Sequence, residues 1–163
     1  MGTTVLEGWA ALLFLVRRPA DRLSLRLIAW VAAPIGSFAM LFARPAEGGL
    51  AALPCELLQL LGVLIAFVSL ATLGRSFGLV AANRGVKIHG PYRLVRHPAY
   101  AGYLVAYLGY VLENPALANI ALLCLGTAFQ LLRIREEEQI LAADSAYERY
   151  RTAVRYRLVP RLF

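Results

Sequence analysis

Apolar positions along the chain fall into five runs separated by polar breaks. Val5 to Val16 is apolar except for Glu7. It is short against the roughly 20 residues a membrane-crossing helix needs, so it crosses only with Met1 to Thr4 included. Arg17 to Arg22 is a basic break, and Leu27 to Ala43 is the second run, in which Pro34 and Gly36 predict a kink. After a turn at Arg44 to Gly49, Leu50 to Leu73 is long enough to cross. Glu56 and Gln59 lie inside that run one turn apart, either against protein or at the outer interface. The fourth run opens at Pro98 and reaches about Leu112. Glu113-Asn114-Pro115 is a minimal turn, so the fourth and fifth runs form an antiparallel hairpin. The fifth extends from Ala116 to Ile134 and continues as helix into Arg135 to Ala143. In the tail, Tyr147, Tyr150, Val154 and Leu158 share one helical face, which predicts an amphipathic segment on the membrane surface or folded under the core.

The fold class that follows is an all-α, polytopic membrane protein of five spans with a cytosolic C-terminal amphipathic helix. Its apolar fraction of 60% exceeds the 45–50% or so of soluble domains. At 163 residues it is one domain, 1–163, with an N-terminal unit of three spans over 1–73 and a core over 74–163. The net charge of +7 would suggest nucleic acid in a soluble protein. Here all the basic residues but Arg44 lie in 17–26, in 74–97 and from Arg133 onward. That alternation puts the N-terminus outside and the C-terminus in the cytoplasm, with a bacterial inner membrane as the expected location. Anionic lipid, rather than nucleic acid, is then the partner of the positive charge. Cys55 and Cys124 sit alone in apolar runs, as free thiols rather than disulfide or metal ligands. No signal-peptide pattern is present, because the first charges after Glu7 follow the apolar run.

Chemistry concentrates in Gly74 to His97 and just beyond it. That connection of roughly 24 residues is long for a simple turn, and glycines at 74, 78, 85 and 90 predict a tightly folded loop. Pro98 suits the first position of a helix, which makes His97 its N-cap. The first-turn N–H groups, with Arg96 and His97 beside them, form an anion site; a plain basic juxtamembrane loop is the alternative. Tyr100, Tyr103, Tyr107 and Tyr110 form one stripe on the fourth run, as a pocket wall or an aromatic belt. Gly102, Ala106 and Gly109 form a small-residue face for a neighbouring helix. In Arg133-Ile134-Arg135-Glu136-Glu137-Glu138, helical spacing places Glu137 and Glu138 on or beside the apolar stripe and Glu136 on the solvated side with Gln139. A wholly solvated charge run is the alternative.

The motif Gly90-Pro91-Tyr92-Arg93-x-x-Arg96-His97-Pro98-x-Tyr100-x-Gly102, followed by Arg133-Ile134-x-x-Glu137-Glu138-x-x-Leu141, resembles the isoprenylcysteine carboxyl methyltransferase family. That family belongs to a wider group with the phospholipid N-methyltransferases. The likeness covers about Gly74 to Pro160, including Gly74-Arg75-Ser76-Phe77 and Tyr147-x-x-Tyr150-x-x-x-Val154. It breaks after Leu141, where Asp144-Ser145-Ala146 replaces an aromatic-glycine stretch. The resemblance implies a small helical membrane enzyme that takes S-adenosylmethionine from the cytosolic side and methylates a membrane-associated, amphipathic acceptor. It implies cofactor contacts at His97, Tyr100, Gly102, Glu137 and Glu138, and a place near the reacting groups for Arg96; Tyr92 is a further cofactor candidate and Arg93 a second candidate at the reacting groups. Tyr103 and Tyr107 are then expected at the acceptor, and no metal is expected.

Methyl transfer from a sulfonium needs alignment more than acid or base. Carboxyl O-methylation therefore leads, with Arg96 or Arg93 holding the carboxylate; an amine acceptor would need a base such as His97. Amine or thiol methylation, an NADPH-dependent membrane reductase and a non-enzymatic scaffold are the rival readings.

Overall fold

The computed structural model describes residues 2–162, and side chains from Gly8 onward. Six α-helices follow in order: α1 (Gly2–Leu15), α2 (Leu27–Phe38), α3 (Ala52–Leu73), α4 (Pro98–Glu113), α5 (Leu117–Leu141) and α6 (Ser145–Ala153). The apolar runs set these elements. Met1 of the first run lies outside the described residues. α2 carries Pro34 inside it and passes at Ala39 into a 3-10 turn that ends at Phe42. α3 and α5 are long and apolar enough to cross a membrane.

Two helix pairs build the molecule: α3 packs on α4, and α2 packs on α5. The α3–α4 contact is backbone against backbone. A Cβ on Gly102 would lie 2.5 Å from Ala66 N and 2.7 Å from Gly62 O. One on Gly62 would overlap Ala106 N. The small-residue face of α4 thus meets a small-residue face of α3, as close approach requires. The outer side of α3 shows Leu53, Leu57, Leu60 and Leu64 exposed in one stripe, an apolar surface that a water-soluble monomer rarely presents.

The connection 74–97 is folded, as its glycines predicted. It holds 3-10 turns at Gly74–Ser76 and Gly90–Arg93 and a short strand β2 (Ala82–Asn83). β2 pairs antiparallel with β1 (Arg22–Leu23), a clasp the hydropathy pattern did not foretell. Backbone bonds from Arg18 N to Arg75 O at 2.8 Å and from Ser24 N to Ala81 O at 3.0 Å fasten the same two segments.

The tail departs from the expected long amphipathic helix. α6 ends at Ala153, Val154 is extended, and the chain leaves helix before bending at 157–162. Arg96 N donates to Tyr156 O at 2.9 Å and His97 N to Arg157 O at 2.8 Å. Those backbone bonds to the segment before α4 win over further helix, because they satisfy donors that would otherwise be buried. Tyr147 and Tyr150 do share a face, packed with Tyr92 into a buried cluster.

Candidate functional site

Between the two helix pairs, at the end that carries 74–97 and the tail, lies a cavity of about 490 Å³. Pro98 begins α4 and places His97 at its N-cap, as expected. The His97 side chain makes no capping bond, however. It turns across to α5, with Nε2 3.2 Å from Glu138 Oε1 and Nδ1 3.8 Å from Glu137 Oε2. Its own N–H and that of Arg96 are taken by the tail. The anion site read from the helix start is therefore reduced at those two positions.

The consecutive glutamates of α5 have three separate destinations. Glu137 lines the cavity. Its Oε1 accepts the Tyr100 hydroxyl at 2.6 Å and lies 3.3 Å from Arg133 Nε, one turn earlier on the same helix. Glu138 is absent from the cavity wall and pairs instead with cations. Arg157 Nη2 is at 2.7 Å, Arg96 Nη2 at 3.1 Å and His97 Nε2 at 3.2 Å from its oxygens. Glu136 corrects the expectation of a solvated side chain. It is buried, and Arg26 Nη1 donates to it at 2.8 Å while also reaching Gln139 Oε1 at 2.7 Å. Helical phase did turn Glu136 away from α4, but α2 and the segment before it cover that side.

Arg133 joins three elements to α5. Nη1 donates to Ser37 Oγ at 2.9 Å, Nη2 to Gly78 O at 3.0 Å, and the guanidinium lies 5.0 Å from the Tyr100 ring centroid. A buried cation needs such a set of partners to avoid a large desolvation penalty. Arg84, from β2's loop, also lines the cavity and donates from Nε to Arg18 O at 3.1 Å. Gly78 lacks the side chain that would overlap its guanidinium. Burial first, then the neighbouring Arg17, lowers the Arg84 pKa.

Of the other residues singled out from sequence, Tyr92, Arg96, Tyr100, Tyr103 and Tyr107 line the cavity. The Tyr103 and Tyr107 rings stack with centroids 6.0 Å apart. Burial chiefly raises the Tyr92 hydroxyl pKa, and its carbonyl accepts the Tyr150 hydroxyl at 2.7 Å. Gly102 is not brought to the cavity; it faces α3. Arg93 is exposed, outside the wall. Tyr110 lies at the opposite end, in a second cleft with Gln59 and Glu113. Arg84 and Tyr147 were not singled out from sequence as cavity-lining residues, nor Arg157 as a partner of Glu138, although Tyr147 lies in the motif shared with the family. An arginine inside a glycine-rich loop was the one signal for Arg84. Nothing local distinguished Arg157 from the other tail arginines.

The resulting wall is largely aliphatic and tyrosyl, with one carboxylate opening into it and arginines around that carboxylate. Such a surface suits an amphipathic ligand that carries both signs of charge. Comparison with known proteins gives the family. A family model described as phospholipid methyltransferase matches residues 50–148, more than half of the chain. The chain belongs to the phospholipid methyltransferase family. It is also 37% identical over 89 residues to Protein-S-isoprenylcysteine O-methyltransferase A of Arabidopsis thaliana. That match covers 50% of this chain and 45% of the plant protein, so the chain spans under half the length of that relative. The resemblance to isoprenylcysteine methyltransferases, read first from two motifs, is borne out. Both motifs begin within the family match.

Proposed function

We propose that the cavity binds S-adenosylmethionine and a lipophilic acid together, and that the protein is a carboxyl O-methyltransferase of the isoprenylcysteine type. The observation that carries the reading is Glu137. It is a carboxylate held by Tyr100 and Arg133 in a cavity whose wall is otherwise apolar, tyrosyl and basic. An amino group or sulfonium finds its counter-charge there. The cavity's volume of about 490 Å³ falls within the range of roughly 300–1,000 Å³ usual for small-molecule sites.

S-adenosylmethionine, when bound, supplies a methyl group whose C–S bond breaks as the C–O bond forms, the electron pair leaving with sulfur and no proton moving. The chain's own residues have simpler tasks. Glu137, with His97, Tyr92 and Tyr100 around it, binds and orients the donor. Arg96 holds the acceptor carboxylate. Tyr103 and Tyr107, deeper on α4, contact the acceptor's apolar part and exclude water. Glu138 acts through its pairs, fixing Arg96, His97 and the tail arginine Arg157 rather than touching the donor. Gly102 serves the site by setting the α3–α4 distance, and Arg93 at the surface faces anionic lipid.

Five apolar helices, with the basic connections gathered at the cavity end, support five spans and a cytosolic cavity. On this reading 1–73 is the lipid-embedded scaffold and 74–163 the catalytic core, and the acceptor arrives through the bilayer. Phospholipid amine methylation is the second reading, favoured by the family description. Its base would be His97, whose Nε2 is already engaged by Glu138. The test is calorimetry in detergent with S-adenosylhomocysteine and NADPH side by side, then methyl transfer to N-acetyl-S-farnesylcysteine and to phosphatidylethanolamine. Binding of S-adenosylhomocysteine with ester formation is the expected result. NADPH binding alone would sink the methyltransferase reading, and transfer to the amine alone would replace the acid by the lipid.

A further inference from the structure

Three arginines line the cavity: Arg84, Arg96 and Arg133. Two of them are engaged by the fold. Arg133 is shared among Ser37, Gly78 and Glu137, and Arg96 between Glu138 and Val154 O. Arg84 is 9% exposed, and its side chain makes one hydrogen bond among the described residues, from Nε to Arg18 O at 3.1 Å. Its Nη1 and Nη2 have no partner there. Neither belongs to the fully buried atoms left without one, which among the described residues are Trp9 Nε1, Arg96 Nε, Arg133 Nε and Tyr147 Oη, so both keep accessible surface. A buried guanidinium with two reachable, unpaired nitrogens is a donor fork that the fold itself does not use.

The surroundings of that fork differ on its two sides. The bond to Arg18 O holds Arg84 against the end of α1, where Phe14 and Leu15 line the cavity, and Phe38 of α2 is on the same wall. On the other side Nη1 lies against Gly78, where a side chain would overlap it. The Gly78 carbonyl accepts Arg133 Nη2 at 3.0 Å, and Arg133 Nε lies 3.3 Å from Glu137 Oε1. Burial first, and then Arg17, lowers the Arg84 pKa, while Glu137 raises it, so the Glu137 charge is near enough to act on the guanidinium. Arg84 thus stands between an apolar region and the carboxylate assigned above to the methyl donor. An amphipathic acid with its apolar chain along Phe14, Leu15 and Phe38 brings its head group to the fork and toward Glu137. The planar fork of an arginine matches the two oxygens of a carboxylate.

We propose that Arg84 Nη1 and Nη2 take the carboxylate of the methyl acceptor, which makes Arg84 a specificity residue that selects the acid over its methyl ester. The inference rests on the carboxyl-methylation reading above. Arg96 adds its charge to the same head group, and Arg84 supplies the hydrogen bonds. A carboxylate has about four lone-pair sites, so the fork uses one on each oxygen and leaves each oxygen another for the methyl. As the C–O bond forms, the C–S bond breaks and its electron pair leaves with sulfur. The ester has lost the negative charge, so the fork holds it weakly and the product leaves.

The test compares the wild-type full chain with Arg84→Gln in the same detergent. It measures KM for N-acetyl-S-farnesylcysteine, the inhibition constant of its methyl ester and the dissociation constant of S-adenosylhomocysteine. Loss of the charged fork should raise the acid's KM about ten-fold or more and leave the other two constants within about two-fold. Arg84→Lys keeps the charge without the fork and should fall between wild type and Arg84→Gln. Weaker S-adenosylhomocysteine binding with an unchanged acid KM would overturn the proposal and give Arg84 to the cofactor. Equal losses in all three constants, or no change in any, would overturn it too, since Arg84 would then only fasten the loop to the end of α1. Should Arg84→Gln fail to fold, Gly78→Ala keeps Arg84 and displaces its guanidinium. A raised acid KM with an unchanged ester constant in that variant supports the seat, and an unchanged acid KM overturns it. If wild type makes no ester, the carboxyl-methylation reading fails by itself. The acid's shift of the melting temperature then still reads the seat: a shift lost in Arg84→Gln supports it, and an equal or absent shift in both overturns it.

Discussion

The two ends of the helix bundle treat polar atoms in opposite ways. At the end with the turns 43–50 and 113–116, buried polar groups satisfy one another. Asn119, 1% exposed, accepts from Arg44 N at 3.0 Å and donates to Arg44 O at 2.7 Å and Asn114 O at 2.9 Å. Asn114 accepts from Ala46 N at 2.9 Å, and Gln59 donates to Glu113 at 2.9 Å across a cleft. At the cavity end, Glu138 is equally saturated, yet Arg96 Nε and Tyr147 Oη beside it are not. Both ends have a cleft, so a hollow alone does not mark a site. The far end closes its polar network, whereas the cavity end leaves these two donors without a partner.

That contrast can be broken by substitution, and Glu138→Ala should have the largest effect. It leaves Arg96 and His97 buried without their shared carboxylate, a loss of about 3–5 kcal/mol for a buried pair. The measurement is the thermal midpoint in detergent, with S-adenosylhomocysteine affinity alongside. A normal midpoint with lost affinity would instead put Glu138 in contact with the cofactor.

Glu137→Gln should act on the ligand rather than on the fold. The amide still accepts from Tyr100, but a charge-assisted contact worth roughly 1.5–3 kcal/mol to the ligand is gone, so affinity falls about ten-fold or more. Calorimetry with S-adenosylhomocysteine checks it. An unchanged affinity would remove the one carboxylate on which the proposed donor site rests.

Asn119→Ala sharpens the other side. It opens the closed network at the far end and should lower stability by roughly 1–3 kcal/mol with cofactor affinity unchanged. If affinity fell as well, the two ends would be coupled. Glu136→Gln should be smaller still, since the amide oxygen can still accept from the mostly exposed Arg26 and no buried cation is left unpaired. Midpoint and affinity in that variant should both stay close to wild type.

The smallest effect is expected from Asp144, which caps α6. Hydrogen bonds from Asn83 and from Ala146 N lower its pKa. A lowered native value stabilises the fold above the ordinary aspartate pKa of about 3.9, and the benefit is lost as pH falls through the lowered value. The difference in melting temperature between wild type and Asp144→Ala should therefore be constant at neutral pH and shrink in acid. A difference that does not vary with pH would mean the cap works without its charge.

The amino-acid sequence by itself determined the helices, their order and the residue types at the cavity. Apolar runs, Pro98 and the Glu113-Asn114-Pro115 turn place α4 and α5, and helical phase separates Glu137 from Glu136. These are local properties, since 3.6 residues per turn fixes which side chains share a face. Tertiary structure alone decided what each face meets. The covering of Glu136 by Arg26, the capture of Glu138 by Arg96, His97 and Arg157, and the arrival of Arg84 through the β1–β2 clasp all join residues distant in the chain. The same holds for Tyr147 and Tyr150. Their spacing put both on one buried face, but which hydroxyl found a partner depended on where the backbone before α4 runs, because a buried donor's fate is set by the nearest acceptor in space.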